Sequence, residues 1–308
     1  MKRSFILLLL AFLLTGVTYA QVSEVESSLR TASNDTLEGW KKGGSVFINT
    51  SQTSFTNWAA GGQNSLSING LVNLFANYKK GKSSWDNSLD IGYGLLKQGK
   101  DADFIKTDDK IDLVSKYGYQ AFGKWNYAAL LNFRTQMTNG YSYPNDSVAI
   151  SKLLAPGYIL VAAGLDYKPS DMFSAFVAPL TGKITLVNDQ SLADSGAFGV
   201  EPGNRSRAEL GGYVRLLFQK DILKNVSFGT KIDLFSNYLN NPQNIDINWE
   251  TLLTLKANKF LSASLATHLI YDDDITIDVD TDDDGVADRR GPRTQFKEVL
   301  SIGLTLKF

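Results

Sequence analysis

The chain reads as a closed antiparallel β-barrel of about 12 strands that crosses a membrane. Three observations lead there. Hydrophobic residues recur with a period of two, not 3.6, from Gly43 to the C-terminus. The chain opens with the pattern of an export signal. It closes with an amphipathic strand in which Phe296, Leu300, Ile302, Leu304, Leu306 and the final Phe308 share one face.

Residues 1–20 have the form of a signal peptide. Lys2 and Arg3 precede an apolar run from Phe5 to Gly16, and Thr18-x-Ala20 places cleavage after Ala20. The run is short for a membrane-crossing helix. Residues 21–42 are polar with little periodicity, which predicts a flexible periplasmic lead-in. The barrel then occupies 43–308.

Within it, twelve alternating segments are expected near 44–55, 64–78, 84–97, 104–119, 124–138, 156–168, 172–187, 206–219, 224–237, 244–257, 260–271 and 294–308. The clearest is Ser65 to Lys79, where Leu66, Ile68, Val72, Leu74 and Tyr78 oppose Ser65, Ser67, Asn69, Asn73 and Asn77. Pro179 and Gly182 interrupt the seventh segment, so ten or fourteen strands stay open as alternatives. Most segments have the length of tilted membrane strands. Connections near residues 80, 121, 170, 221 and 258 are short, and three of those at the other end are long. Short periplasmic turns and longer outer loops place the N- and C-termini in the periplasm. Tyr78, Tyr93, Tyr117, Tyr119, Trp125, Tyr167, Trp249 and Tyr271 fall near strand ends, where an aromatic belt belongs. A soluble sandwich does not account for strand length, export signal and terminal Phe308 together.

Composition narrows the function classes. The 31 basic and 32 acidic residues nearly balance, which gives no nucleic-acid surface. There is no cysteine, so disulfides, thiolate chemistry and lipid attachment at a cysteine are excluded. With the apolar faces on lipid, the inward charged set is Asp90, Lys106, Asp108, Lys110, Asp112, Arg134, Glu209, Arg215, Lys231, Asp233, Asp246, Glu250 and Lys256. Both signs in one lumen fit two readings. Either the charges pair and fill the barrel as a structural or partner subunit of an envelope complex, or they line a porin-like passive channel for small solutes. The expected surroundings are outer-membrane lipid and other envelope proteins, with the barrel a monomer.

The segment after Tyr271 is strongly acidic. Asp278, Asp280, Asp282, Asp284 and Asp288, with Gly285 for a tight turn, have the alternating oxygen spacing of a calcium loop. The sequence has Arg289 and Arg290 just after Asp288, which departs from a full helix-flanked calcium motif. Ca²⁺ bound in 278–288 is thus the one cofactor expectation.

A hydrolase is the third reading. It would rest on His268 beside Asp272 or Asp273, but no nucleophile, base and orienting acid converge in the sequence, so no enzyme and no catalytic residues are expected.

Several stretches together resemble an uncharacterised outer-membrane β-barrel family of Bacteroidota, the domain of unknown function 3078. They include Phe55-x-x-Trp58-x-x-Gly61-Gly62-x-Asn64-Ser65, Asp109-Lys110-Ile111-Asp112, Leu131-Asn132-Phe133-Arg134-Thr135-Gln136 and Gly164-Leu165-Asp166-Tyr167-Lys168-Pro169. The resemblance runs from about residue 35 to 308. It implies location and lineage, and no activity, substrate or catalytic residue.

Overall fold

A computed structural model describes residues 38–55, 62–99, 102–170, 172–258, 261–279 and 288–308. The expected signal peptide and nearly all of the lead-in lie outside the described residues. Sixteen strands follow in order: β1 (Gly39–Thr53), β2 (Ser65–Lys80), β3 (Ser83–Gln98), β4 (Ile105–Phe122), β5 (Trp125–Thr135), β6 (Gly140–Tyr141), β7 (Ala149–Ser151), β8 (Gly157–Ser170), β9 (Phe173–Leu186), β10 (Ser206–Leu223), β11 (Val226–Asn237), β12 (Asp246–Lys256), β13 (Leu261–Tyr271), β14 (Thr276–Val279), β15 (Arg289–Pro292) and β16 (Gln295–Lys307). Twelve of them form one closed antiparallel barrel in the order β1-β16-β13-β12-β11-β10-β9-β8-β5-β4-β3-β2. The other four make two small hairpins in the loops, β6–β7 and β14–β15. A five-residue helix, α1 (Gln190–Asp194), lies in the β9–β10 loop.

Alternation decides which face looks outward. On β16, Ile302 is 63% exposed and its neighbour Ser301 is 3% exposed. In water such a surface would drive aggregation, whereas in lipid it is the solvated face. The turns at one end are tight. Gly81-Lys82 joins β2 to β3 and Gly123-Lys124 joins β4 to β5, each with its glycine at φ 54°, which a two-residue hairpin of this twist requires. Around this end the Trp40 ring packs tilted against Tyr78 (5.2 Å) and Trp85 (5.8 Å), and Trp125 against Tyr167 (4.7 Å).

Those rings explain one departure from the expected boundaries. β1 begins at Gly39, not at 43, because Trp40 pairs with Tyr78 in the ladder and extends it past Lys41 and Lys42. Pro179 is accommodated without breaking β9. The register shifts against both neighbours there, between Ala163 and Leu165 on β8 and between Gly211 and Tyr213 on β10. A bulge absorbs the residue that lacks an N–H.

The seam is where chain start meets chain end. β1 and β16 pair from Ser45↔Lys307 to Ile48↔Leu304, and Gly44 and Phe308 exchange N–H to C=O bonds of 2.9 and 3.0 Å.

Gly164 lies against the β9 bulge, where an added Cβ would sit 2.0 Å from the Val177 carbonyl oxygen, and the backbone cannot yield that distance. Gly164→Ala is expected to reduce the yield of folded barrel severalfold, measured by heat-dependent gel mobility. Gly70→Ala, which meets nothing within 4 Å, should fold normally. Equal yields would show that the strands can spread at the bulge.

Candidate functional site: the barrel lumen

Many inward side chains are buried over the middle of the barrel. Ala128 and Leu130 of β5, Ala162 of β8, Phe176 and Ala178 of β9, Tyr213 of β10 and Phe235 of β11 form one buried apolar cluster, with Val114 and Leu160 packed against it. Phe176 meets Tyr213 edge-on at 6.2 Å. Opposite them, Leu252, Ala266 and Val299 make a second cluster. Between the two, Ser45, Phe47, Leu71, Asn73 and Asp90 are buried as well. Every barrel strand contributes at least one buried inward side chain.

Buried charges are paired within this interior. Arg215 grips Asp233 with two bonds, Nε to Oδ1 at 2.6 Å and Nη2 to Oδ2 at 3.2 Å, while the Tyr213 hydroxyl donates to Oδ1 at 2.6 Å. Lys231 pairs with Glu250 (2.6 Å), and Lys116 with Asp166 (2.8 Å). Asn132 donates to Asp112 (2.6 Å), and Asn73 donates to Asp90. Such pairs lock strands to one another, because a charge left alone in a low-dielectric interior is costly.

Above this layer, toward the long loops, lies a cavity of about 480 Å³. Its hub is Lys183. The ammonium contacts Asp246 (2.6 Å), Asp272 (3.3 Å) and Glu209 (3.5 Å), and sits 5.0 Å from the centre of the Phe235 ring. Arg207 ties Glu209 (3.0 Å) to Asp274 (2.8 Å). Across the cavity Arg134 lies over the Tyr158 ring at 5.9 Å, and Lys297 of β16 reaches Asp108 of β4 at 3.1 Å. His268 Nε2–H donates to Asn248 Oδ1 at 2.7 Å.

The β9–β10 loop packs beside the cavity mouth. Val187, Leu192, Ala193 and Val200 form its small core with Ala155. Asp189 caps α1 by accepting from the Leu192 N–H (3.1 Å) and pairs with Lys152 (2.6 Å). The Lys152 hydrogen bond and the capping bond hold the Asp189 carboxyl below its ordinary range. Phe198, at a positive φ of 59°, lines the cavity.

Of the inward set expected from alternation, Asp90, Asp108, Lys110, Asp112, Arg134, Glu209, Arg215, Lys231, Asp233, Asp246 and Glu250 occupy inward register positions. Two differ. Lys106 is opposite Leu95 on the outward face, because the register shifts between Gly94 and Leu95; it pairs with Asp109 (3.0 Å) and donates to the Thr138 carbonyl (2.9 Å). Lys256 keeps inward parity but is exposed, since it ends β12 at the turn rim. Lys183, Arg207 and Tyr213 were missed by the expectation. Tyr213 shares parity with Glu209 and Arg215, so alternation alone identifies it; the bulge at Pro179 hides Lys183.

The calcium expectation largely lies outside the described residues. Asp280, Asp282 and Asp284 are not described, Asp278 is placed only as backbone of β14, and Asp288 is exposed. The residues of the hydrolase reading each have other partners. Asp272 engages Lys183, and Asp273 accepts from the Tyr271 hydroxyl (3.0 Å) and from Asn244, whereas His268 is held by Asn248.

The profile of a family described as "Protein of unknown function (DUF3078)" matches residues 50–141. No curated protein matches the chain. Among solved structures, an outer membrane channel from Pseudomonas putida F1 is similar at 11% identity and a TM-score of 0.41, covering 89% of this chain and 97% of that one. The translocator domain of the autotransporter NalP from Neisseria meningitidis is similar at 8% identity and 0.35, covering 92% of each chain. The outer membrane channel DcaP of Acinetobacter baumannii is similar at 10% identity and 0.28, covering 88% of this chain and 95% of that one.

Asp233→Ala leaves the Arg215 guanidinium and the Tyr213 hydroxyl buried without their acceptor. It is expected to destabilise the barrel by about 3–5 kcal/mol, read from denaturant unfolding in detergent. The double change Arg215→Met with Asp233→Leu should recover most of that loss. A single variant as stable as the parent would show that the pair contributes nothing.

Proposed function

We propose that this chain is an outer-membrane β-barrel that acts as a closed, monomeric structural member of the envelope, a subunit that partners other envelope proteins. The apolar outward band, the aromatic girdle and the absence of free ends in the sheet order support placement in a bilayer. Lipid offers no partner to backbone N–H and C=O groups, and closure answers that. Short turns at the end where β1 starts and β16 finishes support a periplasmic N- and C-terminus. The observation that carries the closed reading is the layer of buried inward side chains, from Leu130 and Phe176 round to Leu252 and Val299, across the middle of the lumen. A passive small-solute channel is the second reading, favoured by the cavity on the loop side of that layer.

Recordings of the purified barrel in planar bilayers separate the two. The parent is expected to give no steady openings. The triple change Phe176→Ala, Tyr213→Ala and Phe235→Ala should open a conducting path. Steady openings of the parent would overturn the closed reading and establish the channel.

The acidic stretch from Asp278 to Asp288 remains a calcium-loop proposal supported by its oxygen spacing. Changing Asp280, Asp282 and Asp284 together to Asn should abolish Ca²⁺ heats in calorimetry, and equal binding by parent and variant would overturn it.

A further inference from the structure

Ladder registers set outward side chains in rows around the barrel. At the end with the tight turns, Trp40, Tyr78, Trp85 and Tyr117 make one row across β1 to β4. One row further from the turns, the same ladders place Lys42, Ala76, Asn87 and Ser115 side by side, and Leu131 of β5 and Val161 of β8 continue that row. Leu131 and Val161 are exposed apolar side chains, as expected of a face that meets lipid. On β1 to β4 the row is polar instead. A polar notch thus lies on the bilayer side of the four rings.

The notch is ordered by its own hydrogen bonds. Trp85 Nε1–H donates to Ser115 Oγ at 2.9 Å, and the Ser115 hydroxyl donates to Asn87 Oδ1 at 2.7 Å. Asn87 Nδ2 donates to the Ala76 carbonyl at 2.8 Å, which uses one of its two hydrogens. Lys42 folds back so that its ammonium lies 5.8 Å from the centre of the Trp40 ring. On the turn side of the rings, Lys80 shares the outward parity of Tyr78. Among the described residues, Lys42, Lys80 and Lys82 are exposed and have no carboxylate partner. Glu38, at the same turn, accepts from the Gly81 N–H at 2.9 Å. The lysines of the lumen and the loop side differ: Lys106, Lys116, Lys183, Lys231 and Lys297 each have a carboxylate oxygen within 3.1 Å. Aromatic belts lie at the headgroup level of a bilayer, and lysines beside them reach the phosphate layer and attract anionic lipid.

We propose that this notch binds the headgroup of an anionic glycerophospholipid from the leaflet at the turn end. Lys42 and Lys80 reach the phosphate from the two sides of the aromatic row, and Asn87 Nδ2 offers its second hydrogen. The acyl chains lie over Leu74, Leu89 and Leu113, the apolar row next to the notch. The inference rests on placement in a bilayer and is independent of whether the lumen conducts.

The test is native mass spectrometry of the full chain released from nanodiscs of equal phosphatidylglycerol and phosphatidylcholine, which shows the lipids that leave with the protein. The parent should retain phosphatidylglycerol over phosphatidylcholine by at least about tenfold. Lys42→Gln with Lys80→Gln should cut that preference at least about fivefold, and Lys42→Arg with Lys80→Arg should keep most of it. Lys220→Gln with Lys224→Gln removes the same charge from the β10–β11 turn across the barrel and should change nothing. All four lysines are exposed, so folding should tolerate these changes, and heat-dependent gel mobility checks it. Equal retention of the two lipids by the parent would overturn the proposal. Equal loss in the two glutamine variants would show diffuse attraction to the rim and overturn the notch. A parent that never enters the discs would overturn the bilayer placement, and the site with it.

Discussion

Backbone hydrogen bonding in surroundings that offer no partner is the constraint on which the rest of this molecule depends. A strand in lipid must find both neighbours within the protein, so the sheet must return to its first strand. Twelve strands do so here, and the ring of strand neighbours is the same whether read from β1 or from β16. Strand length, turn tightness and the alternation of faces follow from that closure. So does the bulge at Pro179, because a closed sheet has no edge to which a residue lacking an N–H can be banished.

Closure creates a second demand, which is to fill or wet the space inside. This chain buries Phe176, Tyr213 and Phe235 on one side of its interior and Leu252, Ala266 and Val299 on the other. It then sets ion pairs among and above them. The arrangement is economical in geometry. Arg215 and Asp233 are directly opposite on β10 and β11, as are Lys231 and Glu250 on β11 and β12, so neighbouring strands satisfy one another's charges without long reaches. Lys183 is different, since it gathers carboxylates from β10, β12 and the segment after β13. It acts as the point where separate parts of the loop-side lumen are drawn together.

The barrel was legible in the sequence because the period of two is a local signal, carried by every segment except where Pro179 interrupts the seventh and left the strand number open. Inward parity was legible for the same reason wherever a strand is regular. It failed where the register slips: Lys106, beyond the shift at Gly94 and Leu95, faces outward, and Lys183, beyond Pro179, was not recognised as inward at all. A bulge is one residue long and leaves no periodic trace. The state of the lumen was not legible either. Asp90, Asp112 and Arg134 read equally as channel lining or as packed pairs, and the buried cluster of Phe176, Tyr213 and Phe235 depends on contacts between strands that alternation within one strand does not reveal. Trp40 gives the opposite lesson: it stood just outside the expected barrel because Lys41 and Lys42 look like linker, and its contacts with Tyr78 and Trp85 are made between separate strands.

The joint between Gly44 and Phe308 has a kinetic consequence. It links residues from nearly opposite ends of the described chain, whereas most other ladders in the barrel join consecutive strands across short turns or loops. The loop it closes is the longest in the molecule, and its entropic cost falls on one short ladder. Until that ladder zips, the chain is an open curved sheet with two bare edges. The final step of folding is therefore the slowest to be rewarded and the one on which commitment turns. In reverse, a barrel under stress parts first at the seam, not between any two hairpin neighbours.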